Sequence, residues 1–293
     1  MRDWDKEERA EDHDTDGEEL ERLATDWDWH VRRAVATNPA ASGEILRALM
    51  RDRVAWVREA VAASLGADRE ILDTLSTDGD GFVRAAVALN QKTSPEALAG
   101  LSSDETMDFD YSLSKNRYIV LEAVAKNPSS PEEVVRTLSE HAEEGVRAAA
   151  VANPSVPKDA LSKRKTDLSW SVRRGVARSP ASTADILDHL AADRIQDVRA
   201  AVASNPNTPA SALASLAADR DVEIRTAVAS NPNADQKTLA VLSGDWAWKV
   251  RERVAKNPAT PEELVRKLAG DPDQSVGKAA WGRLAKDPQP SGL

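Results

Sequence analysis

The stretch 198–223, VRAAVASNPNTPASALASLAADRDVE, runs straight into IRTAVASNPNADQKTLAVLSGDWAWK (224–249) and VRERVAKNPATPEELVRKLAGDPDQS (250–275). Aligned, the three keep Arg at the second place, Val-Ala at the fifth and sixth, Asn-Pro at the eighth and ninth, and Asp at the twenty-second. The chain therefore repeats every 26 residues, a period that marks a stack of small supersecondary units. Working outward, units begin at Val31, Val57, Val83, Val120, Val146, Val172, Val198, Ile224, Val250 and, incompletely, Val276. Every step is 26 residues except the 37 from Val83 to Val120.

One unit reads as two short helices. Val198, Ala201, Val202 and Asn205 fall at i, i+3, i+4 and i+7, the stripe of a helix that buries one side. Asn205-Pro206 ends it, because proline disfavours helical geometry in the residue before it. Thr208-Pro209, Thr260-Pro261-Glu262-Glu263 and Ser130-Pro131-Glu132-Glu133 then predict a second helix opened by a Ser/Thr capping box with proline at its first position. Ala212, Leu213, Leu216 and Ala217 supply its apolar stripe. Asp219 stands at the junction with the next unit.

The pattern V-R-x-A-V-A-x-N-P followed by T-P-x-x-L-L-x-x-L-A-x-D resembles the leucine-rich repeat variant family, over residues 18–286. That resemblance implies a right-handed superhelix of alternating α- and 3₁₀-type helices, with no particular activity attached. The iron–sulfur module that precedes the repeats in some relatives needs cysteines, and this chain has none. The expected fold class is an all-α, right-handed α-solenoid of about nine 26-residue two-helix repeats. Residues 1–16 read as an acidic flexible arm and 17–286 as the solenoid, with an N-terminal cap at 17–30, repeats from 31, an insertion at 105–115 and a C-terminal cap at 276–286. A Pro/Gly tail occupies 287–293.

Most of the net charge of −10 sits at one end. Residues 1–22 hold eleven acids and four bases, which leaves the repeats near neutral and weakens a general affinity for nucleic acid. No run approaches the roughly 18 apolar residues of a membrane span. The absence of cysteine and of an apolar leader points to a soluble protein of the reducing cytoplasm.

No catalytic or metal motif stands out, and no cofactor or small-molecule substrate is expected. His13, His30, His141 and His189 occupy unrelated registers. Asp78-Gly79-Asp80-Gly81 lacks the acid spacing of a calcium loop. The most regular polar feature is the arginine row Arg32, Arg58, Arg84, Arg147, Arg173, Arg199, Arg225 and Arg251. Only the unit at Val120 lacks both this Arg (Leu121) and the late Asp (His141), so the two belong together: Arg32 with Asp52, Arg199 with Asp219, rather than Asp193 with Arg199 across the junction. Asn38, Asn90, Asn127, Asn153, Asn205, Asn231 and Asn257 read as local turn caps rather than as peptide-gripping groups. The junction tryptophans Trp27, Trp29, Trp56, Trp170, Trp246 and Trp248 read as covers over joints between small side chains.

Departures from the repeat concentrate between residues 104 and 165, where a fold satisfied by its consensus needs none. The expectation is a non-enzymatic scaffold that binds a macromolecule, a protein foremost, through the solenoid surface and the 104–119 loop. The candidate residues are Asp108, Phe109, Asp110, Tyr111 and Tyr118, with Lys163, Arg164 and Lys165 as charge partners for the two loop aspartates. The alternative is a nucleic-acid-binding repeat protein that uses Trp29, Arg32, Arg33, Trp56, Arg58, Trp170, Arg173 and Arg174.

Overall fold

The computed structural model describes residues 4–110 and 115–285, with the backbone alone for Phe109, Asp110, Lys115 and Asn116. These residues form twenty-one helices and one two-stranded antiparallel hairpin, β1 (Asp108–Asp110) and β2 (Lys115–Arg117). They fall into two compact units, Met1–Pro157 and Lys158–Leu293.

Each unit is a solenoid segment built the same way. In Met1–Pro157 the first helices of successive repeats, Trp4–Glu11, Trp29–Thr37, Ala55–Ala63, Gly81–Leu89, Ile119–Lys126 and Glu144–Ala152, pack side by side in chain order. In Lys158–Leu293 the row is Trp170–Arg178, Gln196–Ser204, Val222–Ser230, Trp248–Lys256 and Gln274–Leu284. Between consecutive first helices lies a seven-residue second helix that touches both, such as Gly43–Leu49 or Ala210–Leu216. The core is a thin seam of Val, Ala and Leu, with Val31, Val57, Val83, Val198 and Val250 wholly buried. The second helices are α-helical, not the 3₁₀ turns that the resemblance implies.

The N-terminal arm differs from expectation. Residues from Trp4 form a further first helix with Ala10 fully buried, and Lys6 reaches Asp26 at 2.7 Å, the same 20-residue separation as Arg32 to Asp52. The cap therefore begins at Trp4, not at Gly17. A lysine in the arginine place and an acidic surface hid the repeat. At the other end Gln274–Leu284 runs on for eleven residues because no Asn-Pro interrupts it. The tail 287–293 lies outside the described residues.

The expected capping box is also replaced. Thr208, Ser130 and Thr260 donate their hydroxyls back to Val202, Val124 and Val254 of the preceding helix, each at 2.6 Å. The helix N-cap is then Pro209, Pro131 or Pro261, without a side-chain bond. Where one more cap-forming residue is available, as in Thr93-Ser94, the threonine ties back and the serine caps the Ala97 N–H.

Seven asparagines join the repeats. The Asn231 amide donates to Ala203 O and Asn205 O of the preceding repeat, both at 2.9 Å, while its Oδ1 accepts the Asn233 N–H. Asn38, Asn90, Asn127, Asn153, Asn205 and Asn257 do the same, and all seven are buried. One of the two carbonyls, such as Ala203 O, is among those a helix leaves unpaired at its C-terminus, while the other, such as Asn205 O, also accepts the Thr208 N–H at 3.1 Å. Local turn-capping is thus half of the role; closing the neighbour's helix end is the other half. Ser64 and Ser179 keep only the local bond, and Arg283 fills the asparagine place in the last repeat, donating to Asn257 O, Pro258 O and Thr260 O. Asn231→Ala strands buried groups at about 1–3 kcal/mol each. We expect a loss of about 3 kcal/mol in urea unfolding, against about 0.5 kcal/mol or less for the exposed Ser230→Ala.

Candidate binding groove

The arginine row is committed to structure. Arg225 gives Nε and NH2 to Asp245 at 2.6 and 3.0 Å and NH1 to Asp219 O at 2.8 Å. Asp245 Oδ1 in turn accepts the Ala247 N–H at 2.9 Å. Arg32–Asp52, Arg58–Asp78, Arg84–Asp104, Arg173–Asp193, Arg199–Asp219 and Arg251–Asp271 repeat the pairing inside their own repeats. The junction-crossing alternative also exists, but through the backbone: Arg199 binds the Asp193 carbonyl, not its carboxylate. Each guanidinium therefore clamps two repeats, and these seven are withdrawn from any phosphate track. Asp78, taken by Arg58, and Asp80, which caps Gly81–Leu89, are likewise structural.

In the repeat at Val120 the clamp is rebuilt. His141 Nδ1 accepts the Glu143 N–H at 3.0 Å, the local bond that aspartate makes elsewhere. Its ring meets Tyr118 edge-on at 4.9 Å, and the Leu121 that replaces arginine is buried beneath. The guanidinium comes instead from the insertion: Arg117 on β2 binds both carboxylate oxygens of buried Glu122, with Lys126 at 3.8 Å. Gly145 permits this, since a Cβ there would stand 2.8 Å from Glu122 Oε1.

β1 folds back on the preceding repeat. Asp108 lies over Gly81, where any side chain would collide with its carboxylate. Burial pushes the Asp108 carboxyl up, Asp104 and Asp80 add to the rise, and Arg84 opposes it. Asp108 thus lies within reach of the Arg84 charge, while Arg164 pairs with Asp167 at 3.4 Å and Lys165 with Asp185 at 3.6 Å. Tyr111 lies outside the described residues, as do the side chains of Phe109 and Asp110.

Of the junction tryptophans Trp29 is half-buried, but the others leave much of their rings in solvent. Trp27, Trp56, Trp246 and Trp281 are more than half exposed, and Trp170 and Trp248 nearly so, because the asparagine and arginine clamps already close the joints. Trp246 lies over the Arg225 guanidinium at 5.6 Å, and Trp29 packs on Trp56 at 4.7 Å. Of the alternative set, Arg33 is exposed and Arg174 half-buried.

The rebuilt repeat borders a groove of about 390 Å³ on the first-helix face of Met1–Pro157. Ala85, Ala86 and Ala123 form its floor, Phe82, Leu89 and Ile119 its apolar walls, and Glu59, Arg117, Glu122 and Lys126 its charged rim. Sequence reasoning reached the insertion but missed the groove, whose walls come from three helices. The readable signal was Phe82 and Ile119 at one repeat position, with Leu89 two turns after Phe82.

The clamp-bearing repeat has known counterparts. The family model described as leucine rich repeat variant matches residues 29–54, 197–221 and 248–273. These are leucine rich repeat variant repeats. A solved leucine-rich repeat variant, described as having a novel repetitive protein structural motif, is 25% identical over 73% of this chain and 81% of its own, with a TM-score of 0.52. Two engineered proteins align at 17% identity (96% of this chain, 93% of theirs, TM-score 0.35) and 16% identity (92% and 94%, TM-score 0.21). No curated protein matches the sequence. Among the described residues, no group of three or more His, Asp or Glu is placed to hold a metal ion, and no helix is long and apolar enough to cross a membrane.

The clamp of each repeat makes the fold acid-sensitive. Burial alone raises the Asp245 carboxyl, but the bonds from Arg225 and the Ala247 N–H outweigh it and hold it below the ordinary 3.8. A carboxyl lowered in the fold contributes stability fully above 3.8 and loses it as pH falls through the lower folded value. Arg225→Met, which leaves Asp245 buried and unpaired, is expected to cost about 3–5 kcal/mol at pH 7. The gap from wild type in melting temperature should then close below pH 3.8. Breaking the exposed Arg266–Glu262 pair is expected to cost about 1 kcal/mol or less at any pH.

Proposed function

We propose that the chain is a non-enzymatic helical-repeat scaffold that holds a protein partner in the groove between Ala55–Ala63, Gly81–Leu89 and Ile119–Lys126. The 104–119 insertion supplies one rim through Arg117. One observation carries this reading: large apolar side chains of the groove stand in solvent, with Phe82 37% and Leu89 55% exposed. The corresponding positions of Gln196–Ser204 hold Asp197 and Ser204, and those of Val222–Ser230 hold Glu223 and Ser230. The fold closes with polar or charged residues there, so the apolar ones serve something outside it. Exposed apolar surface of this kind, rimmed by charge, is the form of a protein-binding site.

Protein is favoured over nucleic acid because the arginines that would have tracked phosphates are held by aspartates, and the groove rim carries acids beside its bases. Of the residues first expected to bind, Tyr118 packs on His141 and Asp108 on Gly81, contacts that flank β2, which carries Arg117.

A photo-crosslinking residue at Leu89 tests the reading, with the same residue at the exposed Val241 on a second helix as reference. In native lysate the Leu89 probe should join one discrete protein that the Val241 probe does not. Equal labelling from both positions, or nucleic acid joined at Leu89, would remove this groove as the site.

A further inference from the structure

Glu59 is the exception among the acids of this face. Glu122 and Glu252 hold the same repeat position in other repeats, and each has a lysine four residues on, Lys126 at 3.8 Å and Lys256 at 2.6 Å. The residue four after Glu59 is Ala63, and among the described residues Glu59 makes no hydrogen bond or ion pair. Burial pushes its carboxyl above the ordinary range, with Arg33 opposing from a distance and Asp80 reinforcing. A half-buried carboxylate without a partner weakens the fold at neutral pH, so nothing in the repeat accounts for it.

We propose that Glu59 receives a lysine or arginine of the partner polypeptide, whose methylene stem lies along Phe82, Ala85 and Ala86. This rests on the groove being the binding site. Charge complementarity selects the occupant. An uncharged apolar ligand would bury the Glu59 carboxylate further without neutralising it, at an energetic cost. A long basic side chain instead covers the alanine floor with its stem, meets the carboxylate with its head and gains from the adjacent ring. At the far rim Lys126 offers a positive charge, because the Glu122 it approaches at 3.8 Å is already held by Arg117 through both carboxylate oxygens. Glu59 and Lys126 belong to helices two places apart in the row, a distance of about 16–20 Å at ordinary helix spacing. Extended chain covers that in about five or six residues. The occupant is therefore an apolar segment with a base at one end and a carboxylate about five or six residues away.

Selection of a displayed library of random 12-residue peptides on the full chain tests this. Enriched peptides are expected to carry a Lys or Arg with an Asp, Glu or free C-terminus at that spacing. Synthetic versions should lose at least tenfold in affinity to E59Q, while the E59Q melting temperature equals or exceeds wild type. The exposed Leu89→Gln separates the two ideas. Peptides weakened by Leu89→Gln but indifferent to E59Q would keep the groove and overturn the cation. Peptides indifferent to both, or no enrichment, would overturn cation and groove together. A fall in E59Q melting temperature would show that the carboxylate supports the fold, and would overturn the proposal as well.

Discussion

A helix that must stop every 26 residues leaves carbonyl groups with no partner, and in this protein the next repeat supplies it. Proline after the asparagine ends the first helix, and the asparagine of the following repeat reaches back to a carbonyl so exposed. The arginine of each repeat does the equivalent at the junction, taking a carbonyl six residues before itself and a carboxylate twenty residues after. Hydrogen bonds of this kind cannot slide. A seam of Val, Ala and Leu can shift by a turn at small cost, whereas a shift here would strand an amide, a guanidinium and several carbonyls at once. The polar clamps thus set the register, and the apolar seam supplies the general driving force.

The same constraint explains how the insertion is tolerated. At Val120 the arginine and aspartate are both gone, yet the local turn is preserved through a histidine ring nitrogen, and a guanidinium is restored from the hairpin onto Glu122. The hairpin is stitched in at both ends: Asp108 sits over Gly81 and Arg117 holds Glu122 against Gly145. The insertion is therefore part of the stack, and its second strand becomes the edge of the groove beside it.

The groove differs in kind from the clamps. The clamps satisfy groups that the fold itself exposes, whereas Phe82 and Leu89 leave apolar area in water and Glu59 leaves a carboxylate half-desolvated. Features that cost stability and repair no defect of the backbone are the ones that point outward, to a ligand.

The sequence by itself determined the period, the two-helix unit and the pairing of each arginine with the aspartate of its own repeat, because these are local rules repeated often enough to be read: a proline after an asparagine, a stripe at helical spacing, and two residues lost together at Leu121 and His141. It did not reveal the N-terminal repeat, where Lys6 and Asp26 perform the clamp in an acidic segment that reads as a tail. Nor did it show that asparagine amides point to a neighbouring repeat, since the carbonyls they bind lie 26 and 28 residues away, or 37 and 39 for Asn127, and carry no side-chain signature. Only the tertiary structure decided the groove. Its floor, walls and rim come from Ala55–Ala63, Gly81–Leu89, Ile119–Lys126 and β2, and the feature that singles out Glu59, the missing partner, is a property of the space around it.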